Sequence, residues 1–230
     1  MSVRAFSASE KARRDIVEFG KRMYHRGFAN ANDGNLSARV SENAAWVTPT
    51  GVSKGFLTED MLVLVDLDGN VLEGTGKPSS ETKMHLALYK NAPNILAVTH
   101  AHPPVATTFA AAGLPLDEAL VQEAVVLLGV VPVAPYAAPG SDALASSVVP
   151  FCGEYNALLL EHHGAVSWGE SVERAFYRLE SVEFAATVMM NSRIMNITRR
   201  LKESQIDELI ELRPAWNVTG GGRPKGREEK

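Results

Sequence analysis

The sequence predicts an α/β fold in which helices are layered against a mixed or largely antiparallel sheet. Three observations point there. Segments with apolar residues at helical spacing alternate loosely with short apolar runs of strand length. Several neighbouring runs are joined by tight turns, which suit antiparallel pairs, whereas parallel strands need long crossovers. Hydrophobic residues make up 45% of the 230 residues and charged residues 22%, enough apolar surface for a sizeable core. The expected organisation is one domain over residues 1–215, followed by a mobile Gly- and charge-rich tail over 216–230.

Each element has its own signal. Ser7 and Glu10 make a capping-box pattern, and Ala12, Ile16, Phe19 and Met23 follow at helical spacing. Residues 8–26 therefore read as an amphipathic helix, stopped by Gly27. Residues 28–41 are rich in Asn, Gly and Ser and read as a loop with a short strand. Residues 44–48 suit a strand, ended by the turn Thr48-Pro49-Thr50-Gly51. Runs 61–67 and 71–73 flank Asp68-Gly69, a hairpin signal. Pro78 to Glu81 opens a helix with Met84, His85 and Leu88 on one face, and Asn91-Ala92-Pro93 stops it. Residues 95–102 read as a strand, 105–112 as an Ala-rich helix, 130–135 as a strand and 141–149 as a short helix. Residues 157–161 and 165–168 look like a strand pair around His162-His163-Gly164. Ser171 can cap a long helix with Val172, Ala175, Phe176, Leu179, Val182, Ala186 and Met189 on one face.

Composition excludes several functions. The net charge is −4, so no basic field exists to hold nucleic acid. The longest apolar run, 124–134, is interrupted by Pro132 and is shorter than the roughly 20 residues of a membrane span. The N-terminus lacks the apolar run of a signal peptide, so a cytoplasmic location without membrane attachment is expected. A single cysteine, Cys152, excludes a disulfide within the chain. With six histidines present, any bound metal is expected on nitrogen and carboxylate ligands.

Four short segments carry the chemistry. In His100-Ala101-His102, strand residues two apart point to one side, so both imidazoles can converge on one ion. In Glu161-His162-His163-Gly164, one histidine can turn inward as a third ligand while its neighbour makes a structural contact. Ser79, Ser80 and Glu81 sit at an expected helix N-terminus, where free N–H groups and hydroxyls favour an anion such as phosphate. Glu81 itself could be a fourth metal ligand or a general base. The loops Asp33-Gly34-Asn35-Leu36-Ser37 and Thr48-Pro49-Thr50-Gly51 add glycines for close backbone approach and small polar donors.

In order, these segments resemble the class II aldolase/adducin family, within it the L-fuculose-phosphate aldolase branch. The resemblance runs over about residues 10–200. It rests on Gly34-Asn35-Leu36-Ser37, Thr48-Pro49-Thr50-Gly51, Lys77-Pro78-Ser79-Ser80-Glu81, His100-Ala101-His102, Ala134-Pro135-Tyr136 with Gly140, and His162-His163-Gly164. It implies a three-layer α/β/α sandwich around a mixed, mainly antiparallel sheet, assembled as a homotetramer. By position it implies that His100, His102, His163 and Glu81 bind Zn²⁺, or Mn²⁺ or Co²⁺ in its place. Glu81 would leave the metal to act as acid/base. Gly34, Asn35, Thr50, Gly51, Ser79 and Ser80 would hold the phosphate of a ketose 1-phosphate, cleaved to dihydroxyacetone phosphate and an aldehyde. His162 would be a structural neighbour, and His25 and His85 ordinary helix residues.

The chain departs from that branch in two places. The stretch Leu120-Val121-Gln122-Glu123-Ala124 lacks the branch's tyrosine, and Glu123 lies near its place. The branch's C-terminal tyrosine is missing too, since the last tyrosine is Tyr177. Glu123 is therefore a candidate catalytic relay. Alternatively the substrate is less hydroxylated, a 5-deoxyribulose or 5-(methylthio)ribulose 1-phosphate. The family's sugar-phosphate dehydratases and decarboxylases share the motifs. Adducin-type heads lack the metal ligands that this chain carries.

Overall fold

A computed structural model describes residues 6–196 and 199–228. Eight strands form one sheet in the order β4-β3-β2-β1-β5-β8-β7-β6. They are β1 (Asn35–Arg39), β2 (Ala44–Val47), β3 (Val63–Asp66), β4 (Val71–Glu73), β5 (Ala97–Ala101), β6 (Val133–Ala134), β7 (Ala157–Leu160) and β8 (Gly164–Gly169). Every neighbouring pair is antiparallel except β6 and β7. This is the mixed, mainly antiparallel sheet expected from the tight turns.

Helices cover both faces. On one side lie α1 (Ser9–His25), α3 (Pro104–Ala111) and α6 (Val172–Ile194), which bury Ile16, Met23, Phe109, Phe176 and Leu179 against the sheet. On the other lie α2 (Thr82–Asn91) and α5 (Asp142–Val148), with Met84, Leu88, Leu144 and Val148 packed on Val65, Val98 and Val166. Strand alternation divides the residues between the two cores. In β5, Ala97 and Ala101 join the first core and Val98 the second. His100 shares the parity of Val98, so it faces the α2 side.

Two further helices, α4 (Gln122–Leu127) and α7 (Glu203–Glu211), were not read from the sequence. They pack on each other through Ala119, Val125 and Ile206, a small cluster away from the main cores. Short helices without a long apolar stripe carry little periodic signal. Ser171 and Ser141 cap their helices as expected, accepting from the N–H groups of Arg174 and Leu144. Ser7 does not: Ala8 is the N-cap of α1 and makes no side-chain cap bond.

The segment expected to hang free as a tail is seated on the body as far as residue 228. Val130 donates to Gly221 O, Ala119 to Lys225 O and Arg227 to Leu201 O. Buried Arg213 donates to both Val125 O and Gly222 O at 2.8 Å. The glycines read as flexible instead let the backbone approach closely: a Cβ on Gly221 would lie 2.3 Å from Leu128 O. Residues 229 and 230 of that expected tail, and residues 1–5 of the expected domain and of the leader reading, lie outside the described residues. Among the described residues, no helix is long and apolar enough to cross a membrane.

Candidate metal and phosphate site

The site forms where β1, β5 and β8 end beneath the N-terminus of α2. His100 lies in β5, opposite Asn35 in β1 and Val166 in β8. His102 sits one residue beyond the strand end, where its N–H donates to Phe28 O at 2.9 Å. His163 arrives from the tight β7–β8 turn, in which His162 adopts a left-handed φ of 56°. That turn sends the two neighbours in different directions. His163 joins the cluster, while the exposed His162 ring lies edge-on to Tyr136, with centroids 6.5 Å apart. Strand pattern alone leaves open which of the two turns inward, and the family resemblance points to His163; the turn geometry brings His163 to the cluster.

The three imidazoles converge. Ring centroids are 4.6 Å apart for His100–His163, 5.0 Å for His100–His102 and 5.1 Å for His102–His163. One nitrogen of each lies within 4.8 Å of the others. Gly164 permits this approach, because a Cβ there would come within 2.6 Å of the His102 ring and of Ala101 O. Glu81 closes the remaining side. Its Oε2 is 3.2 Å from His100 Nε2, and its Oε1 is 3.0 Å from His163 Nε2. The helix begins at Thr82, just past the Pro78–Glu81 segment expected to open it, with Glu81 as its N-cap. The carboxylate makes no cap bond; it is turned toward the histidines, and Asn35 Nδ2 donates to its Oε2 at 2.7 Å.

Supporting contacts set each ring's orientation. His100 Nδ1 donates to Ala165 O at 2.9 Å, which leaves Nε2 as the lone-pair nitrogen facing Glu81. His102 Nδ1 lies 3.3 Å from Asp33 Oδ2, which frees its Nε2 in the same way. Burial holds His100 neutral, with its pKa lowered to about 3, and lowers His102 as well. Burial opposes ionisation of Glu81, but His100, His163 and the Asn35 hydrogen bond outweigh it, so its pKa falls below the usual carboxylate range. Lowered imidazole pKa values at His100 and His102 and an ionised carboxylate at Glu81 match the protonation states that metal ligands require.

The donor set fits a divalent ion. His100 Nε2, His102 Nε2 and Glu81 Oε1 are buried and have no hydrogen-bond partner among the described residues. Leaving three polar atoms so close together unpaired is costly unless something is bound between them. Three nitrogens and one oxygen, with no thiolate, suit zinc and also manganese or cobalt.

A cleft of about 280 Å³ opens beside the histidines, and its lining includes Gly34, Asn35, Thr50, Gly51, Ser79, Ser80, Glu81, His102 and His163. All six residues expected to hold phosphate are thus brought together. Not every donor is free. The Thr50 N–H donates to Lys77 O and the Ser79 N–H to Thr48 O, so these two residues can offer their hydroxyls. The Lys77 side chain is exposed outside the lining. Glu123 lies exposed on the first turn of α4 and is not part of the lining, so this chain by itself does not bring it to the centre.

Two site residues escaped sequence reasoning in these roles. In sequence Asp33 is one more residue of a polar loop, yet it faces His102. Lys54 carried no signal beyond its place three residues after Gly51, yet it is buried in the cleft wall.

This strand order between two helical layers is the architecture of class II aldolases. Residues 14–190 match the Class II Aldolase and Adducin N-terminal domain, and the chain belongs to the class II aldolase/adducin family, on the fuculose-phosphate aldolase-like branch. A solved structure titled L-fuculose 1-phosphate aldolase superposes with a TM-score of 0.82 at 28% identity, covering 90% of this chain and 97% of that one. The chain is 31% identical over 212 residues to the 3-oxo-tetronate 4-phosphate decarboxylase of Pectobacterium atrosepticum, covering 90% of this chain and 95% of the relative. It is 31% identical over 204 residues to the 5-deoxy-D-ribulose 1-phosphate aldolase of Bacillus thuringiensis serovar kurstaki, covering 88% and 95%.

Proposed function

We propose that this chain is a metal-dependent lyase that cleaves a carbon–carbon bond in a sugar phosphate, in the first reading a ketose 1-phosphate. Its products are then dihydroxyacetone phosphate and an aldehyde. The observation that supports it best is the juxtaposition of His100, His102, His163 and Glu81 with the polar cleft. In this reading the three histidines and Glu81 hold Zn²⁺, or Mn²⁺ or Co²⁺. The ion, when bound, supplies Lewis acidity for the negative charge that develops on substrate oxygens as the bond breaks. Gly34, Asn35, Thr50, Gly51, Ser79 and Ser80 bind the phosphate, and so fix the distance from that end to the reacting carbons. Glu81 is anionic and oriented by Asn35, so it can accept or return a substrate proton. No residue of the site needs to form a covalent bond to the substrate.

A second reading has its own support in the likeness to a 3-oxo-tetronate 4-phosphate decarboxylase over nearly all of that protein. Retro-aldol cleavage and decarboxylation of a 3-oxo acid both leave an electron pair beside a carbonyl, so the same site serves either. Glu123 acts as a relay in this proposal only if a second copy of the chain, as in the homotetramer the branch implies, brings it to the cleft.

The test offers metal-loaded protein L-fuculose 1-phosphate, 5-deoxyribulose 1-phosphate, 5-(methylthio)ribulose 1-phosphate and 3-oxo-tetronate 4-phosphate. Release of dihydroxyacetone phosphate from any of the three ketose 1-phosphates supports the aldolase reading; carbon dioxide from the last compound, whose other product is itself dihydroxyacetone phosphate, supports the decarboxylase. Neither product from any substrate, with metal content verified, overturns both.

A further inference from the structure

We propose that Lys54 is a positioning residue for the anionic end of the substrate, a buried ammonium that ties the two phosphate loops together and whose counter-charge the ligand supplies. The proposal rests on the sugar-phosphate reading above. Lys54 is 1% exposed and lines the cleft. Its Nζ donates to Asn32 O at 2.9 Å and to Val52 O at 2.6 Å. Asn32 leads directly into Asp33-Gly34-Asn35, and Val52 directly follows Thr50-Gly51. One ammonium therefore fixes the spacing between the loops that carry four of the six phosphate candidates.

The charge is as informative as the contacts. Among the described residues, no carboxylate oxygen lies within 4.0 Å of Nζ. Buried cations are ordinarily paired, because desolvating a charge without a partner is expensive. Asp33 and Glu81 act on Lys54 only from farther off, and burial still lowers its pKa to about 8. A phosphate among the Thr50, Ser79 and Ser80 hydroxyls would supply the missing negative charge, and an unphosphorylated sugar would not. A lysine needed only to hold two carbonyls could be replaced by any side chain with donors. The proposal requires the charge as well.

Isothermal titration of inorganic phosphate into the full chain tests this, using wild type, Lys54→Met and Lys54→Gln, with zinc binding measured separately on each. The expected result is a phosphate Kd raised about tenfold or more in both variants, as loss of a charge-assisted contact implies, with zinc stoichiometry unchanged. Wild-type phosphate affinity in Lys54→Gln, which keeps donors but no charge, overturns the proposal. So does wild-type affinity in Lys54→Met. Should Lys54→Met not fold, Lys54→Gln decides. Failure of wild type to bind phosphate at all removes the sugar-phosphate reading itself, a result distinct from variants that bind as well as wild type.

Discussion

His100 Nδ1 donates to the main-chain oxygen of Ala165 at 2.9 Å, a bond between neighbouring strands that fixes which nitrogen of a buried histidine faces the centre. Because β5 and β8 pair in register, with His100 opposite Val166, the tautomer is dictated by the sheet itself. Replacing His100 or His163 with alanine should therefore remove metal binding, not only weaken turnover. The loss of metal affinity should exceed the roughly 10–100-fold typical of losing a supporting partner. Metal analysis after dialysis against graded chelator checks it, and full retention of metal by either variant would refute the ligand assignment.

Asn35 acts through Glu81. Its Nδ2 holds Oε2 at 2.7 Å and helps keep the carboxylate ionised. Asn35→Leu should lower kcat on the cleaved substrate by roughly 10–100-fold, the range for lost supporting contacts. Its pH–rate profile should shift its acidic limb upward, because an unsupported buried carboxylate protonates more readily. An unchanged profile would assign Asn35 to substrate binding alone.

Gly164→Ala tests how closely the chain packs around the metal centre. The new Cβ would sit 2.6 Å from the His102 ring, so the ring must move. Metal affinity should fall by about tenfold or more, as for disturbed ligand geometry. The protein should remain folded, as judged by far-UV circular dichroism. Titration of zinc against a competing chelator measures the effect.

The metal-free protein should be acid-labile. Burial lowers the pKa of His85 to about 4 and that of His100 to about 3, from 6.5 when unfolded. Between pH 6.5 and those values the unfolded chain binds protons that the folded chain refuses, so stability falls as pH falls, and the histidine contribution levels off only below about pH 3. The depressed carboxyl of Glu81 adds to the loss below its usual pKa of 4.5. Shifts of this size in a wholly buried histidine correspond to roughly 3–5 kcal/mol each. Urea unfolding across this range should show the slope, and His85→Gln should flatten it. A flat profile in wild type would refute the neutral-histidine assignment.

His85 also shows where local reading stops. Its place on one face of α2 was legible, and it read as an ordinary helix residue. Folding brings Ser37 Oγ to 2.7 Å from His85 Nδ1 and 2.6 Å from Tyr89 OH, a buried polar cluster that locks α2 onto β1. That cluster fixes the helix carrying Glu81 relative to the strand carrying Asn35. Residues 37, 85 and 89 share no local pattern, so nothing in the sequence foretells it.

The sequence by itself determined the layered α/β class, the positions of most strands and helices, and most of the polar residues that line the site. Strand alternation, helix-start chemistry and turn-forming glycines act over a few residues and are written locally. Only the tertiary structure decided how the turn sends His162 and His163 apart, that Asp33 faces His102, that Lys54 is buried with no carboxylate within ion-pairing distance among the described residues, and that residues 216–228 dock on the body instead of trailing free. Each of these depends on groups far apart in the chain meeting at contact distance. Their energies arise from burial and from the partner found there, neither of which a local pattern contains.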